Sequence, residues 1–160
     1  MCHAKKNNTN KVTKMKKIIF TVLIVLGFTN LYAGNDCKKC DIEKVKIVNE
    51  HLDSLTFQII YDFLCTFDSS CRTNAEFSEW SNETIFKLLD KSPKLFFQVI
   101  VKRQIDNKLI LREVENPLLD FDLQKIYNKV KTINVLSEIK KEYLDAICKA
   151  ADFNGVKINK

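Results

Sequence analysis

Five cysteines lie beyond residue 33, and they hold most of the chemistry this chain can offer: Cys37, Cys40, Cys65, Cys71 and Cys148. Cys37-Lys38-Lys39-Cys40 has a spacing shared by redox centres, by halves of zinc sites and by structural bridges. A catalytic pair needs a first thiol whose pKa is lowered by a helix N-terminus and nearby cations. Lys38, Lys39 and a helix beginning near Asp41 provide both, while Asp36 and Asp41 oppose them. The redox motif normally follows a buried strand in a βαβ unit, and no strand pattern precedes Cys37. A metal site would have to recruit His51, the one histidine after residue 33, and its distance from Cys40 fits no zinc spacing. No metal and no cofactor is expected, and the structural reading leads.

The odd number of thiols leaves the pairing open. Geometry narrows it if the first helix runs unbroken from Asp41 to Leu64. Such a helix is about 36 Å long at 1.5 Å per residue, whereas bridged Cα atoms lie within about 7 Å. The expectation is therefore a Cys65–Cys71 bridge across "TFDSS", with neither residue joined to Cys37 or Cys40. Closing that loop is worth about 2 kcal/mol in the chain-entropy account. Cys148, on the apolar face of the last helix, is either a partner for Cys37 or Cys40 or a buried thiol.

Other chemistry is thin. Asp120/Asp122 and Glu113/Glu115 alternate, which on a helix points them to different faces, and helix capping accounts for the aspartates. No serine sits in a tight glycine turn, so no nucleophile elbow exists. Glu76, Glu79 and Glu83 recur at helical steps as a solvated face. Asn82-Glu83-Thr84 fits the short N-glycosylation pattern, which matters only in a eukaryotic secretory route. Trp80 falls on the inward stripe of its helix by spacing, yet "FSEWSNE" is polar. It is either a core-edge ring with its N–H satisfied nearby or an exposed anchor for a protein partner.

The elements that must position these groups are helices. After Ala33 the chain holds only Gly34, Gly155, Pro93 and Pro117 as strong breakers, too few for sandwiches, barrels or phosphate loops. Val45, Val48, Leu52, Leu55, Ile59 and Phe63 recur at three- and four-residue steps and suggest one helix over Asp41–Leu64. A second is expected over Ser78–Lys91, and a third opens at Ser92-Pro93. Residues 107–116 are ambiguous between helix and extended chain. Asn116-Pro117 repeats the polar-then-proline start, with Asp120 or Asp122 as the cap and Leu119, Leu123, Ile126, Tyr127, Val130 and Ile133 as the stripe. The last helix, Val135–Phe153, carries Leu136, Ile139, Tyr143, Leu144, Ile147 and Cys148 inward. The fold class is all-α: an irregular bundle or short α-solenoid of about five helices, one domain over 41–154 with a Cys-containing lead-in over 34–40 and a disordered tail over 155–160.

Ahead of this domain, Met15-Lys16-Lys17, the apolar run Ile18–Phe28 and small Ala33 have the layout of a secretory signal peptide, residues 15–33, cut after Ala33. A membrane anchor fits less well. Ile18–Ala33 is sixteen residues and is interrupted by Thr29-Asn30, short of the roughly 20 a span needs. Cys37 comes too late for lipid attachment. Residues 1–14 are a disordered extension or a start placed too early. The formal charge of +6 belongs to this leader; from Gly34 onward 20 basic residues meet 20 acidic ones, which leaves no field for nucleic acid. The sequence therefore describes a periplasmic or secreted, cofactor-independent helical protein without a stable membrane span after cleavage. Its expected role is non-catalytic binding of a protein partner, with thiol–disulfide exchange through Cys37 and Cys40 as the alternative.

Overall fold

Short polar side chains decide where each helix starts and stops. The computed structural model describes residues 37–159; the expected extension (1–14), signal peptide (15–33) and cleavage after Ala33 lie outside the described residues. Among the described residues there are seven α-helices, one 3-10 helix and no strand, so the all-α class holds while the count exceeds the expected five. They are α1 (Ile42–Glu50), α2 (Phe57–Leu64), a 3-10 helix (Ser69–Thr73), α3 (Ala75–Lys91), α4 (Pro93–Arg103), α5 (Lys108–Glu115), α6 (Leu123–Lys131) and α7 (Ser137–Phe153).

The main departure is the break between α1 and α2. Leu52 and Leu55 continue the apolar stripe, which suggested one long helix, but Asp53, Ser54 and Thr56 compete for backbone hydrogen bonds and favour turns. Ser54 N–H donates to the His51 carbonyl at 2.8 Å, and Thr56 Oγ1 accepts from Ile59 N–H at 3.2 Å as the cap of α2. The chain reverses, α1 packs on α2, and the two ends that carry cysteines meet.

Elsewhere the caps explain the boundaries. Asn74 Oδ1 accepts from Phe77 N–H at 3.0 Å and starts α3 one turn earlier than expected. Ser92 leaves helical geometry (φ −142°) because a residue before proline is pushed out of the α region, and Pro93 opens α4. The ambiguous 107–116 segment is α5. Asn116-Pro117 ends that helix instead of opening the next: Asn116 Nδ2 donates to the Arg112 carbonyl at 2.8 Å. Asp122, not Asp120, caps α6 by accepting from Lys125 N–H at 2.9 Å. As a result Leu119 lies in a loop and is exposed, and Leu136, ahead of α7, is exposed as well; neither joins the stripe assigned to it. At the other end of α7, Gly155 (φ 68°) takes the left-handed position of a helix-ending motif, with Val156 N–H donating to the Ala151 carbonyl at 2.8 Å and Gly155 N–H to Asp152 at 3.2 Å. The segment expected to be a disordered tail then runs back: Ile158 packs on the core, and Asn159 N–H donates to Gln124 Oε1 at 2.7 Å.

Helix α3 is the hub, packing against α1, α4, α5 and α6, while α2 packs on α4 and α7 on α5 and α6. Aromatic rings bind these layers together. Phe63, Phe67 and Phe77 form an edge-on chain with centroids 5.3 and 5.6 Å apart, and Tyr143 sits edge-on to Phe96 at 5.6 Å and Phe97 at 4.9 Å. Such pairs add about 0.5–1.5 kcal/mol beyond the area they bury. They tie α2 to α3 and α4 to α7.

Candidate functional site

The cysteines come together at one end of the α1–α2 hairpin, in a pairing the sequence did not suggest. Cys37 is bridged to Cys65 and Cys40 to Cys71, with Cα–Cα distances of 5.8 and 5.4 Å. The expected Cys65–Cys71 bridge is therefore wrong, and so is the separation of both from Cys37 and Cys40. Its premise was the unbroken helix, and the turn at His51–Thr56 removes the 36 Å that would have kept the ends apart. The Cys40 N–H also donates to the Thr66 carbonyl at 3.0 Å, so three links tie the lead-in to the end of α2 and the 3-10 helix. Cys40 has φ 54°, a left-handed conformation that costs a non-glycine residue about 1–2 kcal/mol. The bridge and hydrogen bond hold it there. Cys148 lies half-buried on α7 against the core and belongs to neither bridge.

Trp80 is the other candidate, and it is 41% exposed. Its position on α3 is not on the inward stripe, and its indole N–H has no acceptor among the described residues. It forms one wall of an open groove of about 430 Å³ between α1 and α3, lined also by Lys46, Asn49, Glu50, Glu83 and Lys87. A polar clamp sets the floor. Asn49 Nδ2 donates to Thr84 Oγ1 at 2.6 Å, Lys87 donates to Asn49 Oδ1 at 2.8 Å, and Lys87 pairs with Glu83 at 2.8 Å. Lys46 pairs with Glu43 at 2.7 Å. That hydrogen bond and charge hold the Lys46 pKa above its usual value, with smaller help from Glu76 and Glu50. The sequence missed Lys46, Asn49, Glu50 and Lys87 because the α1–α3 pairing that brings them to Trp80 is non-local. The signal within reach was the Glu76, Glu79, Glu83 stripe that straddles Trp80.

The remaining candidates are placed as structural groups. His51 caps the end of α1 and its Nδ1 shares a hydrogen bond with Ser54 Oγ at 3.3 Å. Among the described residues no three His, Cys, Asp or Glu side chains are grouped to hold a metal ion. Glu113 receives the Asn82 amide at 3.1 Å, and Glu115 pairs with Lys149 at 2.6 Å. Asn82 is fully buried; its Nδ2 donates to the Glu113 and Asn116 carbonyls and its Oδ1 accepts from Leu118 N–H at 3.0 Å. The folded protein presents no accessible amide there for glycosylation, and Asn82 instead brackets the α5–α6 loop onto α3.

Comparison with protein families, with curated proteins and with solved structures found no match to this chain.

Proposed function

We propose that the protein is an exported, non-catalytic helical module that binds another protein through the Trp80 face of α1 and α3. The carrying observation is Trp80 itself: a large ring, 41% exposed, whose N–H meets no acceptor among the described residues, on a groove whose walls are packed helices. A rigid, half-exposed Trp supplies large contact area at little ordering cost, which makes it a common anchor at interfaces. The bridges anchor α1, one wall of the groove, through its N-terminal lead-in.

Periplasmic or secreted location is part of the proposal. It rests on the layout of residues 15–33, and two disulfides are compatible with an oxidising compartment. Among the described residues no helix is long and apolar enough to cross a membrane. The balanced charge beyond Gly34 gives no support to a nucleic-acid partner.

The test is co-purification from the exporting cell with wild-type protein and with Trp80→Ala. A partner retained by the wild type and lost from the variant, whose circular dichroism is unchanged, is expected. A partner set indifferent to the substitution contradicts the reading.

Thiol–disulfide exchange is the second reading, favoured by the half-buried Cys37 and Cys40 beside Lys38 and Lys39. In this fold it would run through Cys37–Cys65 or Cys40–Cys71. Insulin reduction by the wild type, lost in Cys37→Ser/Cys40→Ser, would establish it.

A further inference from the structure

Two aromatic surfaces of this protein are treated differently. On α2 and α4, Arg103 lies 4.5 Å from the Tyr61 ring centroid and 5.6 Å from that of Phe57, with Lys102 at 6.0 Å from Phe57. The chain covers those rings with its own cations. No cation of the described residues covers Trp80, whose ring has the strongest attraction for one.

The charges around Trp80 point the same way. Lys46 and Lys87 line the groove, but each is held by its own glutamate, Glu43 and Glu83. Glu50, Glu76 and Glu79 remain, exposed and without an ion-pair partner among the described residues. Of the groove lining, Glu50 is the carboxylate left without an ion pair, and on α3 Glu76 lies one turn before Trp80 and Glu79 next to it in sequence, with Glu50 and Glu76 both near enough to act on the Lys46 charge.

We infer that the Trp80 groove takes a basic peptide segment of a partner protein, one lysine or arginine lying over the indole and neighbouring cations meeting Glu50, Glu76 and Glu79. This rests on the reading of the Trp80 face as a binding surface. The shape selects a peptide over a small ammonium ion, because the groove is open and has one aromatic wall instead of a cage.

Trp80 is the only tryptophan, so its fluorescence reports the groove directly. The probe is an acetylated, amidated peptide alternating lysine and serine over about seven residues, with its glutamate counterpart as control. Titrated into the disulfide-intact protein, the lysine peptide is expected to change Trp80 emission saturably. Its apparent Kd should rise about tenfold from 50 to 500 mM NaCl, as screening of exposed charges requires. Glu50→Gln/Glu76→Gln/Glu79→Gln should weaken binding about tenfold with the helical spectrum unchanged, and Trp80→Ala should abolish the heat of binding by calorimetry. Absence of binding, equal binding of the glutamate peptide, or indifference to the triple variant would overturn the inference. So would a dimer by light scattering that Trp80→Ala dissociates, since the face would then be a self-contact. Trp80-dependent co-purification together with no lysine-peptide binding would remove the cationic occupant and leave the binding face standing.

Discussion

Tyr143 poses the sharpest question at the scale of single residues. Its ring is fully buried against Phe96 and Phe97, and its hydroxyl has no hydrogen-bond partner among the described residues. A buried, unsatisfied hydroxyl costs about 1–3 kcal/mol, whereas the ring alone would pack as phenylalanine does. Tyr143→Phe is therefore expected to raise stability by about 1 kcal/mol in chemical denaturation. A loss of that size would mean the hydroxyl has a partner in solution. This residue also shows what was legible. Its place on the inward stripe of the last helix could be read from spacing, but its orphaned oxygen depends on which rings α4 brings to it. Asn82 is the reverse case. A polar residue on a helix reads as exposed, and its burial follows from three backbone groups of the α5–α6 segment that need its amide.

At the scale of elements, the hairpin α1–α2 and its two bridges form the unit that carries α1, the groove wall facing Trp80. The bridges close loops with sequence separations of 28 and 31 residues. Each alone restricts the unfolded chain by about 3–4 kcal/mol in the chain-entropy account, and less together because the loops overlap. Cys40→Ser/Cys71→Ser should lower the melting temperature by about 10 °C. The non-reduced peptide map of the wild type should contain Cys40–Cys71 and no Cys65–Cys71 crosslink. Helix class, the α4 start and most of the core stripe were readable, because capping and 3.6-residue spacing are local. The α1–α2 break was not, since Leu52 and Leu55 keep helical spacing while Asp53, Ser54 and Thr56 act through backbone bonds. One missed turn reversed the whole disulfide pattern.

For the molecule as a whole, the Asp90 cluster reports how α3 and α6 stay together. Lys125 and Lys129 donate to the Asp90 carboxylate at 3.0 and 2.7 Å. Desolvation raises the Asp90 pKa, but the hydrogen bonds and charges of Lys129 and Lys125 outweigh it, and the carboxyl rests below its ordinary 3.8. A folded pKa below the unfolded one gives stability that is present above the unfolded value and lost as pH falls through the folded one. Wild type should exceed Asp90→Asn by about 1 kcal/mol at pH 7. The gap should begin to close below about pH 4 and vanish once Asp90 is protonated in the fold; a gap that persists in acid would assign the loss to packing. Whole-molecule charge was legible, since the basic excess lies ahead of Gly34. The Trp80 groove was not, because it exists only where α1 meets α3 across some thirty residues of chain. The function proposed for that groove is tested most directly by a photo-crosslinking amino acid at Glu79, beside Trp80, compared with the same group at exposed Glu138 on α7. Irradiation of the cell that makes the protein should give a heteromeric crosslink from position 79 that Trp80→Ala removes, and none from position 138. Equal yields from both positions, or none from position 79, would contradict the account.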